Sequence, residues 1–275
     1  HLVSSSRPRA RAGVPGAGGV GSGIEAQRVG LPRRSGPDAQ QCMISFIIPA
    51  HNEAALIGRT IHAIRMAADG VGVPYEVIVV DDASTDDTAR LAGECGAVVV
   101  RVAHRQIAAT RNAGARAAQG DRFFFVDADT LANAEAVRAG LDALRCGAVG
   151  GGCLVRFDQR LPLWARAAYA VAERTARILK MAGGCFLFCT RQAYEASGGF
   201  CEKYFAAEEA VFVRGLKRQG RFVVVQPTVV TSARKLHAFS AWEILREAWR
   251  WVFGGPEAYR QRDGLDFWYG RRTKE

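Results

Sequence analysis

Two aspartates, Asp127 and Asp129, close the run Phe123-Phe124-Phe125-Val126-Asp127-Ala128-Asp129. Four apolar residues in succession read as a buried strand, with both carboxylates at its carboxyl end. Alternate residues of an extended chain share a face, so the two carboxylates can aim at one spot. Carboxylates where a parallel strand ends can hold a hard divalent cation, and the cation a diphosphate. Aspartate is also common in turns, so taken alone the run fits a plain strand-to-turn junction equally well.

Other polar clusters occupy comparable places. Pro49-Ala50-His51-Asn52-Glu53 follows one apolar run, and Asp81-Asp82-Ala83-Ser84-Thr85-Asp86 follows another. Ser84 or Thr85 could simply cap a helix. Asp81, Asp82 and Asp86 nevertheless concentrate more negative charge than a cap needs, and such crowding requires a cation or donor groups. Arg111, in Arg111-Asn112-x-Gly114, can give charge-assisted hydrogen bonds to a phosphate or to these aspartates, or can be a solvated helix arginine. The pairs Gly183-Gly184 and Gly198-Gly199 suggest tight turns beside something that approaches closely. Glu208 and Glu209 open a helical pattern, where they can complement its dipole or supply a general base for an alcohol.

The elements that would position these residues alternate in type. Apolar runs at 44–49, 75–80, 97–102, 122–126 and 148–155 read as strands. Helical patterns lie between them at 54–68, 86–95, 107–119 and 132–145. This alternation implies right-handed crossovers and a mostly parallel central sheet flanked by helices, with binding residues where strands end. The second half is less regular: helices at 163–181, 207–219 and 239–253, strands at 185–189 and 221–225.

Composition narrows the class. Of the 275 residues, 1–42 are rich in Gly, Pro, Ser and Arg and lack periodicity, so they bury too little apolar surface to offset their ordering entropy. Patterned sequence starts at Met43, read as the natural start, with 1–42 a disordered, non-native leader; a transit peptide is the weaker alternative. Of the net charge of +10, the leader carries about four units, leaving a mildly basic remainder. That suits an acidic nucleotide or an anionic membrane, while no basic stripe with interleaved aromatics points to nucleic acid. Seven cysteines, odd in number and without a Cys-x-x-Cys pair, read as buried, reduced thiols of a cytoplasmic protein. No apolar stretch reaches the roughly 18 residues that span a bilayer. Trp242, Leu245, Trp249 and Val252 recur at helical spacing beside Arg246 and Arg250. The stripe fits either packing on the domain or peripheral contact with the inner face of a membrane.

In order and spacing, Pro49-x-x-Asn52-Glu53, Asp81-Asp82-x-Ser84-x-Asp86, Arg111-Asn112-x-Gly114, Asp127-x-Asp129, Gly198-Gly199-Phe200 and Glu208-Glu209 resemble the family 2 glycosyltransferases. The resemblance implies a single GT-A (Rossmann-like) α/β domain over 43–237, with 238–275 as a C-terminal helix and tail. It implies a nucleotide-diphosphate sugar donor, a UDP-sugar first and GDP-mannose next, and a hydroxyl acceptor, lipid-linked or small. Pro49, Asn52 and Glu53 would line the nucleoside pocket, Asp81 and Asp86 would neighbour it, and Asp82 would read the base. Asp127 would lie near the ribose or donor sugar, and Asp129, with Asp127, would coordinate Mg2+ or Mn2+. Arg111 would hold the donor or its acidic neighbours. Where the family carries Glu-Asp this chain has Glu208-Glu209, so Glu209 takes the base role and Glu208 is the reserve. His237 is a further metal-ligand candidate, and Arg234 and Lys235 could close over the diphosphate. The family chemistry is a single inverting displacement. Because the Gln-x-x-Arg-Trp run and membrane helices of processive synthases are missing, one non-processive transfer is expected. A nucleotidyltransferase would need an early Gly-rich phosphate loop, which Pro49–Glu53 is not. A binding protein that has lost catalysis is the remaining alternative.

Overall fold

The computed structural model describes residues 26–27 and 42–234, with 242, 243, 246, 259 and 260 beyond them. After the short strand β1 (Ala26–Gln27) come β2 (Ile44–Ala50), α1 (Ile57–Asp69), β3 (Tyr75–Asp82), α2 (Thr88–Glu94), β4 (Val98–Val102) and α3 (Ile107–Ala117). The chain continues through β5 (Arg122–Val126), β6 (Thr130–Leu131), α4 (Ala134–Arg145), β7 (Gly150–Phe157) and α5 (Leu163–Ile178). It ends with β8 (Phe186–Thr190), α6 (Arg191–Ser197), α7 (Glu208–Gln219) and β9 (Phe222–Thr231).

Among the described residues the strands form one sheet in the order β1-β4-β3-β2-β5-β8-β7-β9-β6. β2 pairs parallel with β3 and β5, β3 with β4, and β7 with β9. β8 runs antiparallel between β5 and β7, so β2, β3, β4, β5, β7 and β9 all point the same way. Their carboxyl ends therefore share one edge. The expected α/β layout holds, with β8 and the two-residue edge strands β1 and β6 running antiparallel to their neighbours.

Side-chain alternation in the phenylalanine run explains the layering. Phe124 joins Phe46, Phe186 and Phe188 beneath α1, α2 and α4. Phe123 and Phe125 point the other way, against Phe200 and Phe212 beneath α3, α6 and α7. Burying each such ring contributes about 1.5–3 kcal/mol. Helix α4 presents Ala136, Val137, Gly140, Leu141 and Leu144 as one buried stripe, and the Asn133 side chain caps it by accepting the Ala136 N–H at 2.8 Å. Helix α3 lies so close to the sheet that a Cβ on Gly114 would collide with Ile47 and Val80.

Several elements differ from the sequence expectation. The final strand continues past 225 to Thr231, through a bulge between Cys153 and Leu154 that accommodates Gln226 and Pro227. The short elements β6 and α6 carry too few residues for a periodic signal. Asp127 and Asp129 lie in a turn beyond β5, its Thr130 N–H donating to the Asp127 carbonyl at 3.0 Å, so strand alternation does not set their directions. Against the expectation of buried thiols, only Cys153 and Cys189 of the seven cysteines are fully buried, whereas Cys146 is exposed. The helix expected over 239–253 falls outside the described residues apart from Trp242, Glu243 and Arg246. Among the described residues no helix is long and apolar enough to cross a membrane.

Candidate active site

The carboxyl edge of the sheet gathers the ends of β2, β3, β5, β7 and β9. The turn after β5 is braced from α1, where the buried Thr60 hydroxyl donates to the Ala128 carbonyl at 2.7 Å.

On the β2–β3 side the polar residues mostly hold one another. Asn52, at φ 53°, donates its N–H to Ser84 and accepts the Thr85 N–H at 2.7 Å on its side-chain oxygen. Asp86 accepts from the Ala54 and Thr88 N–H groups, at 3.1 and 3.0 Å. Partial burial works against its charge, but these bonds and the Thr88 hydroxyl hold its pKa below the ordinary carboxylate value. Asp82 is buried, with Oδ1 accepting from the Arg105 N–H and Oδ2 from the Gln106 N–H and the Thr110 hydroxyl. Its carboxylate thus serves the first turn of α3. Beside it, Asp81 is buried with Oδ1 lacking any hydrogen-bond partner among the described residues. Pro49 is half-buried at the end of β2, and Glu53 is buried just beyond it.

The centre of the site is Arg111. It is 1% exposed, so it is no solvated helix arginine. Its guanidinium donates to Glu208 at 2.7 Å through one terminal nitrogen, and to Asp127 at 2.9 Å through the other. It also lies 5.1 Å from the centre of the Phe200 ring. Burial alone would lower its pKa, but Asp127, Glu208 and Glu209 reverse this and hold it above the ordinary arginine value. One cation thereby links the turn after β5 to the first turn of α7. Of the Gly183-Gly184 pair, Gly184 answers to the same side chain, where a Cβ would stand 2.8 Å from an Arg111 nitrogen, whereas a Cβ on Gly183 would meet nothing within 4 Å. We expect Gly184→Ala to displace the clamped guanidinium and lower activity at least about tenfold, since angstrom-scale misplacement at a catalytic site is costly. A rate equal to that of the unaltered chain would refute this.

Glu208 and Glu209 sit in unlike surroundings. Glu208 is buried, with Oε2 unpartnered among the described residues, whereas Glu209 is half-exposed on the same turn. Burial first, then the charge of Glu209, push the Glu208 carboxyl up to about 8, against the pull of Arg111. The folded state therefore keeps a proton that the unfolded chain releases. This contribution to stability is full below the unfolded value of 4.5 and is lost as pH rises through about 8. Glu208→Gln has no such proton to lose, so its urea midpoint should fall less across that window. Parallel pH profiles would contradict the assignment.

Asn112 supports α7 indirectly. Its amide donates to the Phe200 carbonyl and to Glu202, both at 2.8 Å, and its oxygen accepts the Tyr194 hydroxyl and the Phe200 N–H. The chain running from Gly198 toward α7 is pinned to α3 in this way.

Asp129 faces the last strand. The Arg234 guanidinium lies between Glu53 Oε2, at 2.8 Å, and Asp129 Oδ2, at 3.4 Å. The extension of β9 brings Arg234 to this edge; Lys235 and His237 lie outside the described residues. Asp129 also lines a small hollow with Arg59, Thr60, Asp158, Thr231 and Ser232. Among the described residues no three carboxylate, histidine or cysteine side chains gather into a metal cage. Mg2+ and Mn2+ at nucleotide sites commonly take only one or two carboxylates, with substrate phosphates and waters completing the shell. An all-oxygen donor whose surroundings already draw in a guanidinium fits such an ion. Asp127 is less suited, because Oδ1 belongs to Arg111.

Some participants carry no short-range signal. Thr110 and Gln106 serve Asp82, and Tyr194 and Glu202 serve Asn112, the latter two across more than 80 residues of sequence. His51 bonds the Asp82 carbonyl through Nδ1 and meets Arg105, which holds φ at 52°.

This α/β architecture, with acidic turns along its carboxyl edge, is the GT-A fold of glycosyltransferases. The glycosyl transferase family 2 model matches residues 45–196, more than half of the chain, and the protein belongs to that family of enzymes. Among solved structures, a mannosyltransferase from Pyrobaculum calidifontis, in complex with GDP-Man and Mn2+, superposes with a TM-score of 0.59 at 24% identity over 74% of this chain and 60% of that one. TarS of S. aureus, in complex with UDP-GlcNAc, gives 0.55 at 18% identity over 76% and 65%. Glucosyl-3-phosphoglycerate synthase from Mycobacterium tuberculosis, in complex with Mn2+ and UDP, gives 0.54 at 21% over 78% and 80%. A 4,4'-diaponeurosporenoate glycosyltransferase of Staphylococcus aureus is 48% identical over 59 residues, 22% of this chain and 15% of that enzyme's length.

Proposed function

We propose that this glycosyltransferase moves one sugar from a nucleotide-diphosphate donor, a UDP-sugar first, to a hydroxyl acceptor with inversion and without processivity. The observation that carries the reading is the Arg111 clamp, which joins the acidic turn after β5 to the helix bearing Glu209. The unpartnered oxygen of Asp81 offers an acceptor for a base or ribose donor group, more open to a ligand than Asp82, whose carboxylate already accepts three hydrogen bonds. Arg111 fixes the Asp127 carboxylate, leaving its outer oxygen toward the donor sugar or ribose. Asp129 would hold Mg2+ or Mn2+, which when bound supplies Lewis-acid stabilisation of charge on the departing nucleoside diphosphate. Arg234 can transfer from Glu53 and Asp129 to the diphosphate. Glu209, the accessible carboxylate, takes the acceptor's hydroxyl proton as that oxygen attacks the anomeric carbon and the carbon–diphosphate bond breaks. The nucleotides named for the neighbouring structures, UDP-GlcNAc, UDP and GDP-Man, support this donor class.

Thermal denaturation with UDP-, GDP- and dTDP-sugars, with and without Mn2+, tests the reading. At a hundred times the dissociation constant a donor adds about 2.7 kcal/mol of stability. One nucleotide class should stabilise the protein only with Mn2+, and Asp129→Ala should abolish that shift. A metal-independent shift retained in the variant would remove Asp129 from the role.

A further inference from the structure

Helix α5 turns its apolar face away from the protein. Its inner side is Ala165, which is buried, and Tyr169, whose hydroxyl donates to the Val155 carbonyl and whose ring meets Phe157 edge-on at 5.3 Å. Trp164, Val171 and Ile178 follow at seven-residue intervals on the opposite stripe, 40%, 67% and 73% exposed, and Leu179 continues it. An ordinary surface helix shows the reverse pattern. Arg166 and Arg174 are exposed on α5, with Arg160 and Lys180 exposed just before and after it. The helix's one acid, Glu173, is paired with Arg177 at 3.1 Å.

We propose that α5 is an interfacial anchor that lies flat on an anionic lipid bilayer. A tryptophan-bearing apolar stripe flanked by Arg174, with Arg160 and Lys180 exposed at the two ends of the helix, suits the boundary between acyl chains and negatively charged headgroups. Charge complementarity separates this occupant from a second copy of the chain, because an isologous pairing would set arginine-bordered stripes against each other. The anchor is distinct from the tryptophan stripe at 242–252. It also lies close to the chemistry, since Asp158, five residues before α5, lines the hollow that contains Asp129. Docking would therefore bring the carboxyl edge to the membrane and favour an acceptor presented by lipid. That corollary rests on the assignment of Asp129; the docking itself does not.

The test is flotation of the full chain with phosphatidylcholine vesicles, with and without phosphatidylglycerol. The protein should float with the anionic vesicles and not with the neutral ones. Val171→Glu combined with Ile178→Glu should abolish flotation. Arg174→Gln combined with Lys180→Gln should weaken it about thirtyfold, from two basic residues near the surface. Trp242→Ala combined with Trp249→Ala should leave it unchanged. The altered α5 side chains are exposed, so each α5 variant should keep the urea midpoint and the donor-induced thermal shift, and a failed donor assignment would not affect flotation. Absence of flotation overturns the proposal, as does its loss in the Trp242/Trp249 variant alone. So does a dimer in light scattering that Val171→Glu with Ile178→Glu dissociates while no vesicle is bound.

Discussion

Arg111→Ala is expected to cost about 3–5 kcal/mol of folding stability and to eliminate sugar transfer together. The magnitude is that of removing one partner from a buried ion pair, which strands the remaining charge. Here two carboxyl groups lose the same donor: Glu208, with side-chain exposure of 4%, and Asp127, with 25%. Glu208 already keeps its proton up to about pH 8, so the stranded charge is chiefly that of Asp127. Arg111→Lys separates charge from geometry. An ammonium restores a positive charge, but as a compact point it cannot reach Glu208 and Asp127 along two fixed N–H directions as the planar guanidinium does. The lysine variant should recover part of the stability and little of the activity. Urea denaturation and donor turnover on the three proteins would measure both effects. Full turnover in the lysine variant would reduce Arg111 to a structural charge.

The sheet and its helices were legible because their signals are local. The boundaries of β5 match the expected run 122–126, since five residues with four consecutive apolar side chains admit little else. Helix α3 begins at the expected Ile107 and ends within two residues of expectation. The antiparallel course of β8 was not legible: its composition is that of any buried strand, and direction depends on how the long α5 connection returns. The site was readable as an ordered set of residues but not as a circuit. Nothing near Asp82 in sequence says that Thr110 and the amides of Arg105 and Gln106, just ahead of α3, will engage its carboxylate, while Asp81 keeps an unpartnered oxygen. The joining of Arg111 to Glu208 spans 97 positions, and neither residue's neighbourhood specifies the other. The Asp127–Asp129 expectation misjudged geometry, because it extended the strand through residues that the Thr130-to-Asp127 bond folds into a turn.

Adjacent carboxyl groups with unlike environments divide acid–base duties, and the pair at the start of α7 can be tested on that basis. Glu209→Gln is expected to lower turnover about 10²–10⁴-fold, the usual contribution of a positioned general base. Donor affinity should stay the same, because the substitution leaves Arg111, Asp127 and Asp129 in place. Stability should not fall, because Glu209 is half-exposed and its charge is one that crowds Glu208. Glu208→Gln should act differently. The amide oxygen can still accept from Arg111, so the clamp persists and turnover should fall far less than in Glu209→Gln. The longer reach of Glu209, compared with the aspartate that the family places there, gives Glu209→Asp a further use. If the acceptor hydroxyl is matched to the glutamate's length, the aspartate variant should turn over more slowly despite keeping its carboxylate. Turnover of the donor by all three variants, followed as release of nucleoside diphosphate, distinguishes the outcomes. Severe loss in Glu208→Gln with activity retained in Glu209→Gln would move the base to the buried residue, which would then have to abandon Arg111 to meet the acceptor.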